Sequence, residues 1–373
     1  MTPPISTLAP PDRAGEVQNK LTRMRGWLHA TQASALRLRG VDWFSWATAG
    51  GSSVVLQSSE TGVAEVLVTA GHAHVLTDDI ELQRLQEEEV PNGFEWHASP
   101  WAETDVRERF VAKLVGAGGV LSDRPQGDER AMPPACHADR LVLSEAEQQR
   151  YRHVGQLARS AMTEVMRAAR PTWSEQALAG AGAEALWARG LHPILTLAAG
   201  SQRVARYRHP TPTQALLDDQ AMLVFCARGF GLVANLTRFV EFAPCSAQQH
   251  QQHEALQGIE AAGLQVCRAG LPLSGVYHAL KQAYGQAGFE QAIAQHHQGG
   301  ITGYLAREDL ALPGSTLTLA DGMALALNPS LPGVKLEDTF LMQPGRLENR
   351  TLDPAWPATQ VAGRLRPLPL EAP

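Results

Sequence analysis

Apolar residues at Val154, Leu157, Met162 and Val165 recur at the spacing that lines one face of a helix. Ser144 and Glu147 form a capping box ahead of that stripe, and Pro171 stops it. A second helical pattern runs from Ser174 to Trp187 and ends at Gly190, and two more cover Ser246–Cys267 and Ser274–Ala287. Between and after them, short apolar runs predict strands at Leu191–Ala198, Ala221–Ala227 and Leu232–Val240, and a strand-rich stretch over Thr316–Met342. In the first third, Ser53–Gln57, Val63–Thr69 and Ala73–Leu76 predict strands, punctuated by turns at Glu60-Thr61-Gly62 and Gly71-His72. Asp79–Glu89 and Asp105–Leu114 have helical spacing, and Gly119–Ser122 follows as a strand. Strands alternating with helices imply an α/β domain on a mixed sheet. The Pro-rich residues 1–17 predict a flexible arm, and the Pro- and charge-rich Arg124–Arg140 a linker. The expected domains are therefore 18–140 and 141–373.

With 373 residues, both domains can bury a sizeable core. A hydrophobic content of 44% and a charged content of 19% are those of a soluble globular protein. The net charge of −6, with both signs interspersed, argues against nucleic acid or an anionic membrane as partner. No apolar run is long enough to span a bilayer, and the first residues carry no apolar secretion core. The four cysteines, Cys136, Cys226, Cys245 and Cys267, are widely spaced and read as reduced thiols of a cytoplasmic protein.

Four short patterns in the second half carry the chemistry. They are Asn235-Leu236-Thr237-Arg238, Gly299-Gly300-Ile301-Thr302-Gly303, Gly322-Met323 with Asn328-Pro329, and Glu337-Asp338-Thr339. In this order they resemble the creatinase / aminopeptidase P / prolidase family, whose patterns run D-x-G…G-Y-x-x-D-x-T-R, G-H-x-x-G, G-M-x-x-x-x-E-P and R-x-E-D-T. The resemblance covers residues 145–350 by motif and 20–130 by pattern of elements. It implies an α+β protein: an N-terminal creatinase-type α/β domain, then a C-terminal pita-bread domain. It also implies a homodimer.

In that family five side chains hold a pair of metal ions. Here the two Asp positions are Val224 and Asn235, the His position is Gly300, the first Glu position is Asn328, and only Glu337 remains. Valine and glycine offer no donor and neutral amides are poor ligands, so no metal and no cofactor is expected. The resemblance places non-metal catalytic histidines at His209 and His296. An imidazole titrating near neutrality suits a general base. Glu337 would hold a cationic group of the substrate, and Asn235 and Asn328 would position the rest. Arg307 stands where the peptidases carry a His; it either grips a substrate carboxylate or pairs with Glu308 or Asp309 at the surface. Thr237 and Arg238 would support the strand. Arg203, Arg206 and Arg208 near His209 either attract an acidic substrate or coat a loop. His250 and His253 read as one solvated helix face rather than a metal site, metal binding is likewise not expected at His297, and Cys226 reads as a buried thiol rather than a nucleophile. The resulting expectation is a metal-independent, creatinase-like hydrolase or lyase that cleaves a C–N bond of a small amino-acid-like molecule. The rivals are a catalytically silent pita-bread binding protein and a metal-dependent aminopeptidase.

Overall fold

The computed structural model describes residues 12–103, 105–115 and 118–372. The chain divides into two compact units, Met1–Arg140 and Leu141–Pro373, and mixes helix and sheet as an α+β protein.

The first unit opens with α1 (Arg13–Thr31). The arm expected over 1–17 is thus helical from Arg13, and its first eleven residues lie outside the described ones. The Asp12 carboxylate accepts from the Gly15 N–H and caps the helix, while Val17, Leu21, Met24 and Leu28 form its buried stripe. The helix was illegible because a Pro-rich start masks the cap.

The unit continues with β1 (Ala35–Gly40), α2 (Val41–Ala47), β2 (Thr61–Thr69), β3 (Ala73–Asp78), α3 (Leu82–Arg84), β4 (Glu95–Ser99), α4 (Asp105–Leu114), β5 (Val120–Ser122), β6 (Arg130–Ala131) and α5 (Pro134–Leu141). Its strands form one sheet in the order β4-β3-β2-β1-β5-β6. β2 is antiparallel to both β1 and β3, whereas β3–β4, β1–β5 and β5–β6 are parallel. No strand forms at Ser53–Gln57. β1 is already paired on both sides, and Val55 and Leu56 stay exposed. The expected helix over Asp79–Glu89 is broken into α3 and a π-turn at Leu85–Glu89. The segment read as a linker folds as β6 and α5, with Glu129 and Arg140 turned inward while Asp128, Arg130 and Asp139 stay exposed. Arg140 is fully buried, donates to Asp42 (2.7 Å) and lies 4.1 Å over the Trp43 ring.

The second unit holds α6 (Glu145–Ala168), α7 (Glu175–Trp187), β7 (His192–Gly200), α8 (Ser201–Val204), β8 (Gln220–Gly229), β9 (Leu232–Glu241), α9 (Ala247–Gln265), α10 (Leu273–Gln286) and the short strands β10 (Gly299–Thr302), β11 (Asp309–Leu310), β12 (Ala324–Leu327), β13 (Ser330–Leu331), β14 (Val334–Lys335), β15 (Asp338–Gln343), β16 (Arg346–Asn349), β17 (Ala358–Val361), β18 (Arg364–Pro367) and β19 (Leu370–Glu371). The capping box at Ser144 and Glu147 is formed at the start of α6. One sheet runs β19-β9-β8-β7 and a second β11-β10-β12-β15-β16. Apolar faces of α9 and α10 (Leu256, Ile259, Val276, Leu280) pack with Leu325, Leu327 and Phe340 of the second sheet. Where β9 meets β15 the two sheets are tied together. The Asn235 N–H donates to Thr339 Oγ1 (2.8 Å), the Thr339 hydroxyl donates back to the Asn235 carbonyl (3.0 Å), and the Thr237 N–H donates to the Glu337 carbonyl (3.1 Å). Asn235, Thr237 and Glu337 lie at this seam.

Candidate active site

The β8–β9 hairpin pairs Val224 with Thr237 and Cys226 with Asn235. Strand β9 thereby brings Asn235 and Thr237 to the seam, and β10 and β12 bring Gly300 and Asn328 close by. Gly300 pairs with Ala326, and the Asn328 N–H donates to the Gln298 carbonyl (3.2 Å). The Asn235 amide donates to Thr302 Oγ1 (2.9 Å), two residues beyond Gly300. Asn235 and Asn328 are buried, and the Oδ1 of each has no hydrogen-bond partner.

The five family metal positions do not fit a metal pair. Val224 is packed with Leu197, Ala199, Val204, Met222 and Phe239 in an apolar cluster. At Gly300 a Cβ would come within 2.1 Å of the Asp309 carbonyl oxygen, so this backbone has no room for a histidine. The one carboxylate, Glu337, is already engaged. Its Oε1 accepts from Arg307 Nη2 (2.6 Å), and its Oε2 accepts from the Thr237 hydroxyl (2.8 Å) and lies 3.3 Å from Lys335 Nζ. Burial alone would raise this carboxyl, but Lys335 and Arg307 outweigh it and bring it down to about 2. Two side-chain cations thus stand against the carboxylate that the family gives to metal.

This arrangement changes two expectations. The cation expected at Glu337 comes from the chain itself, leaving no lone carboxylate for a substrate. Arg307 is neither a surface ion pair with Asp309 nor a free fork, since Nη1 donates to the Ala306 carbonyl (2.6 Å) and Nη2 to Glu337; only Nε, which is buried, has no partner. Lys335 adds a site residue that the sequence signals only through the family pattern R-x-E-D-T, which puts a cation two residues before Glu337. Thr237 does more than support its strand, because its hydroxyl donates to Glu337. Arg238 reaches from β9 to Asp338 (2.7 Å) and to the Thr351 carbonyl (2.8 Å). Asp338 also takes Arg366 (2.8 Å), which donates to buried Glu260 (2.5 Å).

His209 and His296 meet, although 87 residues separate them: Nε2 lies 3.0 Å from Nε2. His209 follows α8 on an exposed loop, and Arg208 anchors that loop by donating to Gln295 (2.6 Å). His296 is buried at the end of a 3₁₀ turn over Glu290–Gln295. His297 joins the pair: its ring stacks on His296 at 4.5 Å and lies 5.9 Å from His209. All three stay neutral at neutral pH. Burial and then Lys335 lower His209; burial, Lys335 and the neighbouring imidazoles bring His296 to about 3; burial and then Arg307 bring His297 to about 4. Arg203 turns away to pair with Glu175 and so fixes the loop. Cys226 is buried with its thiol pushed up to about 12 by burial, so it is unsuited to nucleophilic work.

Free space is distributed unevenly. Beside Lys335 a cavity of about 10 Å³ remains, bounded by Tyr207, Met222 and Leu331. A cavity of about 800 Å³ lies instead between α9 and the C-terminal hairpin, against Phe239, His253, Glu254, Gln257 and Trp356. The helix face read as solvated therefore borders this cavity, and burial brings His253 down to about 4.

Two sheets joined at a seam, flanked by helix pairs and carrying these motifs in this order, define a pita-bread unit in which Lys335 and Arg307 face Glu337 at one of the family's metal positions. The profile of metallopeptidase family M24 matches residues 149–344. The chain belongs to that family. Among solved structures it is similar to an Xaa-Pro dipeptidase from Bacillus anthracis (17% identity, TM-score 0.76, covering 91% of this chain and 98% of that one). It is also similar to a prolidase from Pyrococcus horikoshii OT3 (14% identity, TM-score 0.77, 90% and 98%). A third is the N-terminal domain of FACT complex subunit SPT16 from Cicer arietinum (13% identity, TM-score 0.69, 91% and 96%). At these identities the likeness is one of fold. No curated protein matches the chain by sequence.

Proposed function

We propose that the chain is a hydrolase that cleaves a C–N bond of a small, carboxylate-bearing, amino-acid-like molecule without the family's metal pair. The observation that carries this reading is the 3.0 Å approach of His209 Nε2 to His296 Nε2. Two neutral imidazoles so placed share one proton, one nitrogen donating and the other accepting. His209, on the exposed loop, takes a proton from the attacking water, and buried His296 holds its orientation. Water adds to the carbon, the C–N bond breaks, and the proton passes to the leaving nitrogen. Lys335 and Arg307 against Glu337 leave one net positive charge (two plus, one minus), which favours a substrate carboxylate. The open Oδ1 atoms of Asn235 and Asn328 are suited to accept N–H groups of the substrate. We assign the enzyme a cytoplasmic homodimer as its setting.

The test is a screen of guanidino, ureido and N-acyl amino acids together with Xaa-Pro dipeptides, run in EDTA on protein whose metal content has been measured. Turnover should survive EDTA and fall by about 10²–10⁴ in His209→Ala. Activity that requires two equivalents of Mn²⁺, Co²⁺ or Zn²⁺ would overturn the proposal.

A second reading, a catalytically silent binding protein, is favoured by one observation. The roomy cavity of about 800 Å³ lies along α9, whereas a cavity beside Lys335 holds about 10 Å³. It predicts no turnover of any of these compounds, and normal stability of His209→Ala.

A further inference from the structure

The first unit contains a second cluster of ligating side chains, formed by His72, His74 and Glu95. His72 and His74 lie two residues apart around the start of β3, so their side chains share one face of the sheet. Glu95 opens the edge strand β4 and is the parallel partner of His74. One ligand atom from each of the three lies within 4.8 Å of the others. His72 Nδ1 is 2.8 Å from Glu95 Oε1, and His74 Nε2 is 3.9 Å from Glu95 Oε2. In a tetrahedral zinc site, bonds of about 2.0–2.2 Å put neighbouring donors about 3.3 Å apart, between these two distances.

His74 supplies the independent observation. It is only 5% exposed, and neither ring nitrogen has a hydrogen-bond partner. A buried polar group left in that state is costly, yet the ring is held in place. Phe110 meets it edge-on at 5.2 Å, and His72 stacks at 5.8 Å. Thr69 fixes the neighbouring backbone, its N–H donating to the His72 carbonyl (2.9 Å) and its hydroxyl accepting the His72 N–H (3.0 Å). His72 and Glu95, each 57% exposed in the side chain, are free to rotate onto an ion.

We propose that His72, His74 and Glu95 bind one borderline divalent cation of the Zn²⁺ class, with water as fourth ligand, and that this ion clips edge strand β4 to β3. Two imidazoles and one carboxylate form a donor set that suits zinc. Charge separates this cluster from His209, His296 and His297, the other group of three in the described residues. There Lys335 and Arg307 oppose a dication, whereas here Glu95 contributes a negative charge to the site.

The test uses the full chain, stripped with chelator and dialysed against ZnCl₂, with bound zinc measured by elemental analysis and Co²⁺ as a spectroscopic probe. One equivalent should bind, the Co²⁺ complex should show tetrahedral d–d absorption, and Tm should rise with zinc. His72→Ala and Glu95→Gln alter exposed side chains and should leave the fold intact. Each should weaken binding by more than the about 10–100-fold lost with an outer-shell partner. His297→Ala should bind as the unaltered chain does. Zinc retained by both His72→Ala and Glu95→Gln, zinc lost only in His297→Ala, or no zinc bound at micromolar concentration would each overturn the proposal. None of these results depends on turnover.

Discussion

Replacing Glu337 by Gln removes the one carboxylate that faces Arg307 and Lys335 and leaves two cations against a neutral amide. Glu337 is 2% exposed and Lys335 6%, so solvent screens little of what is lost. Its carboxyl is held at about 2, against an ordinary 4.5. At about 1.4 kcal/mol per pH unit this corresponds to about 3 kcal/mol of stability. Breaking a buried pair by deleting one partner typically costs about 3–5 kcal/mol, which agrees. The sign follows from the lowered value. A carboxyl depressed by folding contributes fully above its unfolded pKa of about 4.5 and loses that contribution as pH falls through about 2. Urea unfolding at pH 7 should therefore show Glu337→Gln less stable by about 3 kcal/mol. The gap to the unaltered chain should hold steady above about pH 5 and narrow below pH 4.5. Replacing Arg307 by Gln in the same chain should restore part of the loss, giving an interaction energy of about 0.5–3 kcal/mol in the double-mutant cycle. A loss below about 1 kcal/mol in the single variant, or a pair of losses that simply add, would refute the view that the two cations stand in for metal charge.

Three further outcomes follow from the same geometry. Val224→Asp should not recover Mn²⁺ binding by elemental analysis, and calorimetry should show a loss of about 2–5 kcal/mol, because it buries an unpaired carboxylate in the cluster with Leu197, Met222 and Phe239. The acid limb of kcat/KM should fall below the ordinary imidazole value of about 6.5, since burial and Lys335 lower His209 and keep it a competent base at lower pH; a limb above 7 would exclude it. Asp338→Asn should cost about 3–5 kcal/mol in urea unfolding, because Arg238 and Arg366 are both buried against that carboxylate.

Much of the second unit was legible in the sequence for a physical reason. Its long helices announce themselves by period and cap, as Ser144 and Glu147 do for α6, and its hairpin strands are continuous apolar runs. The first unit hid more. Helix α1 begins behind prolines, and α5 carries charges that serve as core partners rather than as solvated linker, with Arg140 over Trp43. Sequence separates a buried, paired arginine from an exposed one only when its partner is known, and Asp42 lies 98 residues away. The site divides along the same line. Motif order identified His209, His296 and Glu337, and the first two do meet. The state of Glu337 was hidden, because it depends on where Lys335 and Arg307 point, a tertiary fact.

That state bears on why the metal positions could change together. A family site with several carboxylates is stable only when cations neutralise them, so losing acids without losing metal, or metal without acids, leaves uncompensated charge. Here the remaining acid is answered from within the chain. One acid is kept and two side-chain cations answer it, while Val224 joins the apolar core and the backbone closes on Gly300. Each replacement removes a reason to restore the others. With Lys335 and Arg307 in place, a dication at the seam would meet like charge. With Gly300 sealed against Asp309, a histidine there would break the β10–β11 pairing. Side-chain ion pairs thus occupy the place at the seam that the family gives to its metal ligands, as the proposed metal-independent hydrolase requires, with His209 and His296 as its proposed proton carriers.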